Sequence, residues 1–363
     1  MRILWNNHRD ILNPASGGAE RTIHELGKRL VERGHEVTIL TSRWKTAPCE
    51  DEVDGVRVLR YRGNLLPHFV LPIVVAKESP DVIVDDMAHA VPWASPWLTS
   101  IPGTVFFRHL HARTLPGQVS RPLARALTVV EKRYPSIYRS WPFVTESAGS
   151  VEDLVSLGIP KTRCVRIPPG VDSKAFVPRI KASVPTMVYF GGLRDYKRPD
   201  HALLVHKGLL ARGLKLRLVV LGSGPSLDRL IRIAEGLGLE ETIVFRGRVT
   251  QAELAEAVSE AWVNIHCSLS EGWGYSVMES AAAGTPTAAY RVRGIVDSVK
   301  EGESGLLAPD GDLELLTKAA EELMGSASDW VRRCRLWAER FTWEAASVAW
   351  ERHLERIVNI SNS

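Results

Sequence analysis

An α/β fold built as two successive parallel-sheet halves is the arrangement this sequence predicts, and three observations predict it. Short β-branched runs alternate with amphipathic stretches, the pattern of βα units that feed parallel sheets. The alternation breaks once, at "RCVRIPPGVDSKAFVP" (163–178), where prolines and a glycine read as a linker. The 363 residues exceed what one ordinary core organises and suit two domains of roughly 150 to 200 residues each.

Taken in order, "MRILW" reads as the first strand and "GGAERTIHELGKRLVERG" as a helix with Ile23, Leu26, Leu30 and Val31 on one face. Gly34 follows, where a helix C-terminus tolerates left-handed backbone. "HEVTIL", "VRVLRY", "PDVIVDD", "GTVFF" and "PFVTES" are the remaining strands of the first half. The second half opens with the strand "TMVYFGG" and a helix from about Asp200. It continues through strand "LRLVVLGSG", helix "SLDRLIRIAEGLG", strand "TIVFRG", helix "QAELAEAVSEA" and strand "WVNIHC", to a helix beginning near Gly274. The terminal "FTWEAASVAWERHLERIVNISNS" is amphipathic, with Trp343, Ala346, Trp350 and Leu354 spaced for one face. No fixed-period repeat or low-complexity tract appears. Two such halves imply a cleft, with ligands outside the carboxyl ends of the strands.

A hydrophobic share of 45% and a charged share of 24% are those of an ordinary globular protein. Lys and Arg exceed Asp and Glu by 46 to 42, a net charge of +4 too mild to argue for nucleic acid and suited to anionic ligands or an anionic membrane surface. Cys49, Cys164, Cys267 and Cys334 are far apart, with no CxxC pair, and read as reduced thiols. The N-terminus lacks the pattern of a secretory signal, and no run reaches the roughly 18 to 20 apolar residues of a spanning helix. A cytoplasmic protein, with any membrane contact peripheral on the inner face, is the expectation.

Three motifs carry candidate chemistry. Gly17 and Gly18 lie between the first strand and first helix, where missing Cβ atoms let backbone N–H groups approach a phosphate or sugar; a tight turn explains them equally well. "GGLRDYK" (191–197) ends the first strand of the second half and offers Arg194 and Lys197 to a diphosphate, or else is a solvated loop. "SEGWGYSVMESAAAGTP" (270–286) brackets a glycine- and aromatic-rich turn with Glu271 and Glu279. A helix starting near Gly274 would aim its first-turn N–H groups and positive dipole end at a diphosphate. The glutamates would stand roughly 12 Å apart along the axis if both were helical, too far to act on one atom. That separation suits a diphosphate flanked by two hydroxyl-bearing rings, as in a nucleotide-activated sugar. The alternative is that Glu279 faces solvent while Ala281, Ala282 and Ala283 pack closely.

"EGWGYSVMESAAAGTPTAAY" resembles the E-x7-E signature of retaining glycosyltransferases of the GT-B architecture, family 4. "GGAERTIHELGKRLVERGHEVTIL", "IPPGVD", "GGLRDYKRPDHAL", "VLGSGP", "VFRGRVTQAEL" and "EGESGLLAPDGD" are similar to that family's other landmarks, in the expected order along nearly the whole chain. The resemblance implies two Rossmann-like domains: 1–172 on the acceptor side, with a helix 342–363 crossing back onto it, and 173–341 binding the nucleotide sugar.

The resemblance also implies roles. Glu271 would bind the hydroxyls of the donor sugar, the backbone of Gly272, Trp273, Gly274, Tyr275 and Ser276 the sugar and phosphate, Glu279 the ribose, and Lys197 the diphosphate. Arg248 and Val249 would border the base, and Gly17 and Gly18 would close over the donor. The family usually has "GRL" where this chain has Gly191, Gly192 and Leu193, so Arg194 is the candidate replacement for that arginine. In "FFRHLHART", His109 is the first candidate for a histidine beside the reacting sugar, and His111 the second.

The implied reaction transfers a sugar, with retained configuration, from a UDP-sugar or GDP-sugar to a hydroxyl of a glycan, lipid-linked or small-molecule acceptor. No cofactor and no essential metal are expected. Asp85 and Asp86 mimic the metal-binding acidic pair of the other major glycosyltransferase architecture, but read as the end of an ordinary strand. The basic stretch 113–139 reads as a helix with a solvated face or as a surface for an anionic membrane or acceptor. Trp93, Trp97, Trp141 and Trp273 are candidates to stack on sugar rings, against core packing. Two other functions share this pattern: a nucleotide-sugar epimerase, and a noncatalytic sugar-nucleotide-binding subunit.

Overall fold

The computed structural model describes residues 1–115 and 118–361; Pro116 and Gly117 of the basic stretch, and the last two residues of the expected terminal helix, lie outside the described residues. The chain divides into two compact units, Met1–Gly170 together with the helix from Trp343, and Val171–Thr342.

In the first unit, the strands are β1 (Arg2–Asn6), β2 (Glu36–Arg43), β3 (Glu50–Val53), β4 (Val56–Arg62), β5 (Val82–Met87), β6 (Gly103–Phe107), β7 (Phe143–Thr145) and β8 (Cys164–Arg166). They form one sheet in the order β3-β4-β2-β1-β5-β6-β7-β8. All neighbours are parallel except β3 and β4. That exception is a hairpin whose turn residues, Asp54 at φ 50° and Gly55 at φ 77°, are left-handed, as a two-residue primed turn requires. The linker read at 163–178 begins too early: Cys164–Arg166 pairs with β7 and closes the sheet edge before the prolines stop the ladder.

The helix Trp343–Ser361 belongs to this unit and completes its core. Its buried Trp350 lies 5.0 Å from the Trp5 ring and 4.9 Å from Phe106, so a stripe spaced for one helix face meets the faces of β1 and β6. Glu351 fixes the same helix to the Gly18–Glu32 helix region by pairing with Arg33 and His35.

The second unit contains β9 (Thr186–Phe190), β10 (Arg217–Leu221), β11 (Ile243–Gly247), β12 (Val263–His266), β13 (Thr287–Tyr290) and β14 (Gly305–Ala308). Its sheet, in the order β11-β10-β9-β12-β13-β14, is parallel throughout and buried among helices. In both units the parallel strands bring their carboxyl ends, and the turns that follow, to one edge of the sheet. Among the described residues no helix is long and apolar enough to cross a membrane. The four cysteines are free thiols.

Candidate functional site

At the carboxyl edge of the second sheet, the turns after β9 and β12 are tied together. The Leu269 N–H donates to the Tyr196 carbonyl at 2.9 Å. This brings Lys197, at the end of a short 3-10 turn, against Glu271, with Nζ 2.7 Å from Oε1. The same oxygen accepts from Ser268 Oγ at 2.7 Å, and His266 Nε2 stands 3.5 Å away. Burial alone would raise the Glu271 carboxyl, but the Lys197 charge and the His266 contact hold it well below the usual carboxylate range. Burial likewise opposes charge on Lys197, and Glu271 overrides it, keeping the ammonium above its ordinary value. Both side chains keep some surface, 22% for Lys197 and 15% for Glu271, so the pair is formed yet reachable.

The turn after Glu271 leads into the helix Tyr275–Ala282. Gly274 precedes it at φ 94°, left-handed backbone that favours glycine. No side chain caps this helix start; Ser276 Oγ instead meets His266 Nδ1 at 3.2 Å. Gly272, Trp273 and Gly274 are buried, leaving Tyr275 and Ser276 as the half-exposed end. The Trp273 indole packs into the core against Phe341, 5.2 Å away, so that side chain is no sugar platform. Glu279 is buried with Ala281, Ala282 and Ala283, which removes the reading in which it faces solvent. Arg248, exposed, and Val249, half-buried, follow β11, two strands from β9 and so about 10 Å across the sheet.

In the first unit, Gly17 and Gly18 are exposed where the Gly18–Glu32 helix starts, and Glu20 Oε2 accepts from the Gly17 N–H at 2.7 Å. His109 is half-buried; His111 is buried, its ring 4.8 Å from that of His109. Glu131 clamps the turn, accepting from the His111 N–H at 2.6 Å and the Ala112 N–H at 2.8 Å. The acidic pair is consumed by the scaffold. Asp85 is bound by Asn6, Ser95 and Tyr138, and burial raises it to about 6; Asp86 pairs with Arg108 at 2.7 Å. Among the described residues, no three His, Cys, Asp or Glu side chains gather in a metal-binding arrangement. Trp93 is buried and stacked on His68 at 4.1 Å, Trp141 is buried, and Trp97 is exposed. The helix Arg121–Glu131 of the basic stretch lies on the surface.

Two family models tile the chain. One, Glycosyltransferase Family 4, matches residues 16–175; the other, Glycosyl transferases group 1, matches 171–335. The chain is 27% identical to a D-inositol 3-phosphate glycosyltransferase of Acidothermus cellulolyticus, over 91% of this chain and 83% of that one. It is 26% identical to a GDP-mannose-dependent alpha-(1-6)-phosphatidylinositol dimannoside mannosyltransferase of Mycobacterium tuberculosis, over 93% and 92%. A solved structure of sucrose-phosphate synthase from Thermosynechococcus elongatus superposes with TM-score 0.84 at 19% identity, covering 99% of each chain. The chain is a GT-B glycosyltransferase.

Three residues that sequence reasoning missed shape this glycosyltransferase. His266 links Glu271 to the helix start through its two ring nitrogens. Ser268 shares the Glu271 oxygen with Lys197. Arg198, left-handed at φ 45°, donates to the Cys267 and Ser268 carbonyls at 2.6 and 3.1 Å and so fixes the turn that presents Glu271. Only Arg198 left a trace in the sequence, as a cation before the helix-opening Pro199. At the position of the missing family arginine, a Cβ on Gly192 would meet nothing nearer than Arg194 Nε at 3.9 Å. The Arg194 guanidinium therefore approaches the place where a side chain at 192 would begin.

Proposed function

We propose that this glycosyltransferase is a retaining enzyme that takes its sugar from a nucleoside-diphosphate donor, a UDP-sugar first and a GDP-sugar second. The acceptor is a hydroxyl of a glycan, lipid-linked or small molecule. The observation that carries the reading is the Lys197–Glu271 pair beside an uncapped helix start. A diphosphate there meets the ammonium and the helix dipole, while Glu271, held ionised, accepts hydrogen bonds from sugar hydroxyls. Glu279 takes the ribose, and the Arg248–Val249 backbone borders the base. From the first unit, the proposal assigns Gly17, Gly18 and His109 to the donor, with His111 second.

In this mechanism the diphosphate leaves from the face the acceptor hydroxyl approaches, and the departing oxygen assists the loss of the hydroxyl proton. Fixed positive charge at Lys197, Arg194 and the helix start stabilises the leaving group, and no metal is required. Glu271 orients the sugar and is not a nucleophile. The relative in Mycobacterium tuberculosis is named for GDP-mannose, which keeps both bases in the test.

A thermal-shift panel of UDP- and GDP-sugars tests the donor, since a ligand that binds only the folded state raises apparent stability. The matching donor raises the Tm, and its sugar appears on acceptor with the anomeric configuration of the donor by NMR. An inverted product removes the retaining assignment. Isomerisation of the donor alone, with no acceptor present, replaces transfer with epimerisation.

A further inference from the structure

A cavity in the first unit lies at the edge of the sheet opposite to Gly17 and His109, beside the amino ends of β6 and β7. It has a volume of about 580 Å³, within the ~300–1,000 Å³ range of small-molecule sites. Its floor is the Trp141 ring, which lies over Gly103 so closely that a Cβ there would come within 2.5 Å of the indole. One wall is the last turns of the helix Trp343–Ser361, contributing Arg356, Ile357 and Ile360. His353 Nε2 anchors that wall to Thr104 Oγ1 at 3.0 Å.

The charge in this cavity has one sign. Arg139, Arg163 and Arg356 line it, and none of the described lining residues is acidic. Arg163 is occupied in part: its Nη2 donates to the Tyr138 and Trp141 carbonyls and so holds the turn that presents the Trp141 ring. Arg139 and Arg356 are exposed at the rim. His353 adds no charge, because burial lowers it to about 4. Beside the cations the surface is apolar: Ile101, Pro142 and Ile357 line the cavity, and Ile360 stands 68% exposed at its border. Guanidinium groups suit a phosphate or carboxylate, and the apolar floor suits a hydrocarbon chain.

We propose that this cavity is a second ligand site, separate from the sugar-transfer site, for a single anionic amphiphile. Its phosphate or carboxylate head lies at Arg139 and Arg356, and its chain lies across Trp141 and Ile357. The inference does not rest on the donor reading of the second unit. Such a ligand joins the terminal helix to the loops before β6 and β7, so it stabilises the first unit.

Dodecyl phosphate below its micelle concentration is the probe, with dodecyl maltoside and inorganic phosphate as the two halves of its chemistry. By calorimetry, dodecyl phosphate binds the full chain at least about tenfold more tightly than either control, and R139Q/R356Q loses about tenfold or more of that affinity. Both arginines are exposed, so the variant keeps its fold; I357D, on the wall, weakens the dodecyl chain's contribution and serves as the independent check. Tryptophan fluorescence shifts on binding in the wild type and not in a W141F variant. Equal affinity for inorganic phosphate overturns the amphiphile, and equal affinity for dodecyl maltoside overturns the anionic head. Binding to phosphatidylglycerol vesicles without binding to monomeric dodecyl phosphate overturns a discrete cavity site.

Discussion

Both sheets bring charged groups to their carboxyl edges, and the two edges use them differently. In the first unit, Arg108 is buried between Asp86 and Glu146, 2.7 Å from each, with its Nη2 3.4 Å from the Ala19 carbonyl and its guanidinium 3.6 Å over the Phe106 ring. In the second, Lys197 and Glu271 are also in contact but keep a fraction of surface. The first triad is a closed framework behind the glycine turn. The second is an ion pair that keeps surface for a ligand: in the proposed donor complex an anion would replace part of the carboxylate's hold on the ammonium, and sugar hydroxyls part of the ammonium's hold on the carboxylate.

The largest effect expected from this contrast falls on folding. R108M leaves Asp86 and Glu146 buried without their cation, at a cost of about 3–5 kcal/mol. Urea unfolding reads that loss, and the surviving folded fraction transfers sugar at nearly the wild-type rate. A variant that folds normally but has lost turnover would move Arg108 from framework to chemistry and erase the contrast.

In the second unit the expected loss is in turnover. If Lys197 holds the leaving diphosphate as proposed, K197A lowers kcat by about 10²–10³, the range for one preorganised electrostatic contact. Because the pair is partly exposed, its stability cost is discounted to about 1–2 kcal/mol. K197A/E271A is destabilised by less than the sum of the single variants, since each single variant strands its partner's charge and the double variant does not.

Arg194 sharpens the same comparison at a smaller scale. R194A weakens donor binding by about tenfold or more, one charge-assisted hydrogen bond. G192R in that background restores most of the loss, because the backbone at 192 is not left-handed and the space beside it is open once Arg194 is gone. Failure of the rescue, with R194A itself silent, would leave the diphosphate to Lys197 and the helix start alone. H266A follows with a two- to tenfold rise in donor KM, about 0.5–1.5 kcal/mol for one ordinary hydrogen bond. The measurement is donor saturation at fixed acceptor.

How far the sequence disclosed these regions depended on what each residue's role required. Strands rich in Val, Ile and Leu, such as β5 and β10, were legible because burial on both faces forces continuous apolar runs. The four-residue β13, Thr-Ala-Ala-Tyr, was not, because close packing there selects small side chains over β-branched ones. The helix Leu66–Glu78 was missed because it is apolar on several faces and carries Pro72, which hides its period. Spacing made Glu271, Glu279 and the helix start legible. Nothing in spacing pairs Arg108 with Glu146, 38 positions on, or places His266 between Glu271 and Ser276; those contacts exist only once parallel strands align their ends.

The smallest expected effect is a flat line, and its flatness is informative. Glu271 is depressed in the folded chain, so the stability its pairing contributes is fully present above the unfolded carboxyl value, ~4.3, and is lost only as pH falls toward its lower folded value. Lys197 is raised, so its contribution is fully present below the unfolded lysine value, ~10.4, and is lost only as pH climbs past the folded one. Between about pH 5 and 10, neither partner changes charge. The difference in Tm between wild type and the neutral pair K197M/E271Q therefore stays constant across that window and narrows below it. A step in that difference near neutral pH would mean that a member of the pair, or a group in contact with it, changes charge there, and that the open ion pair alone does not describe how the second unit uses its charges.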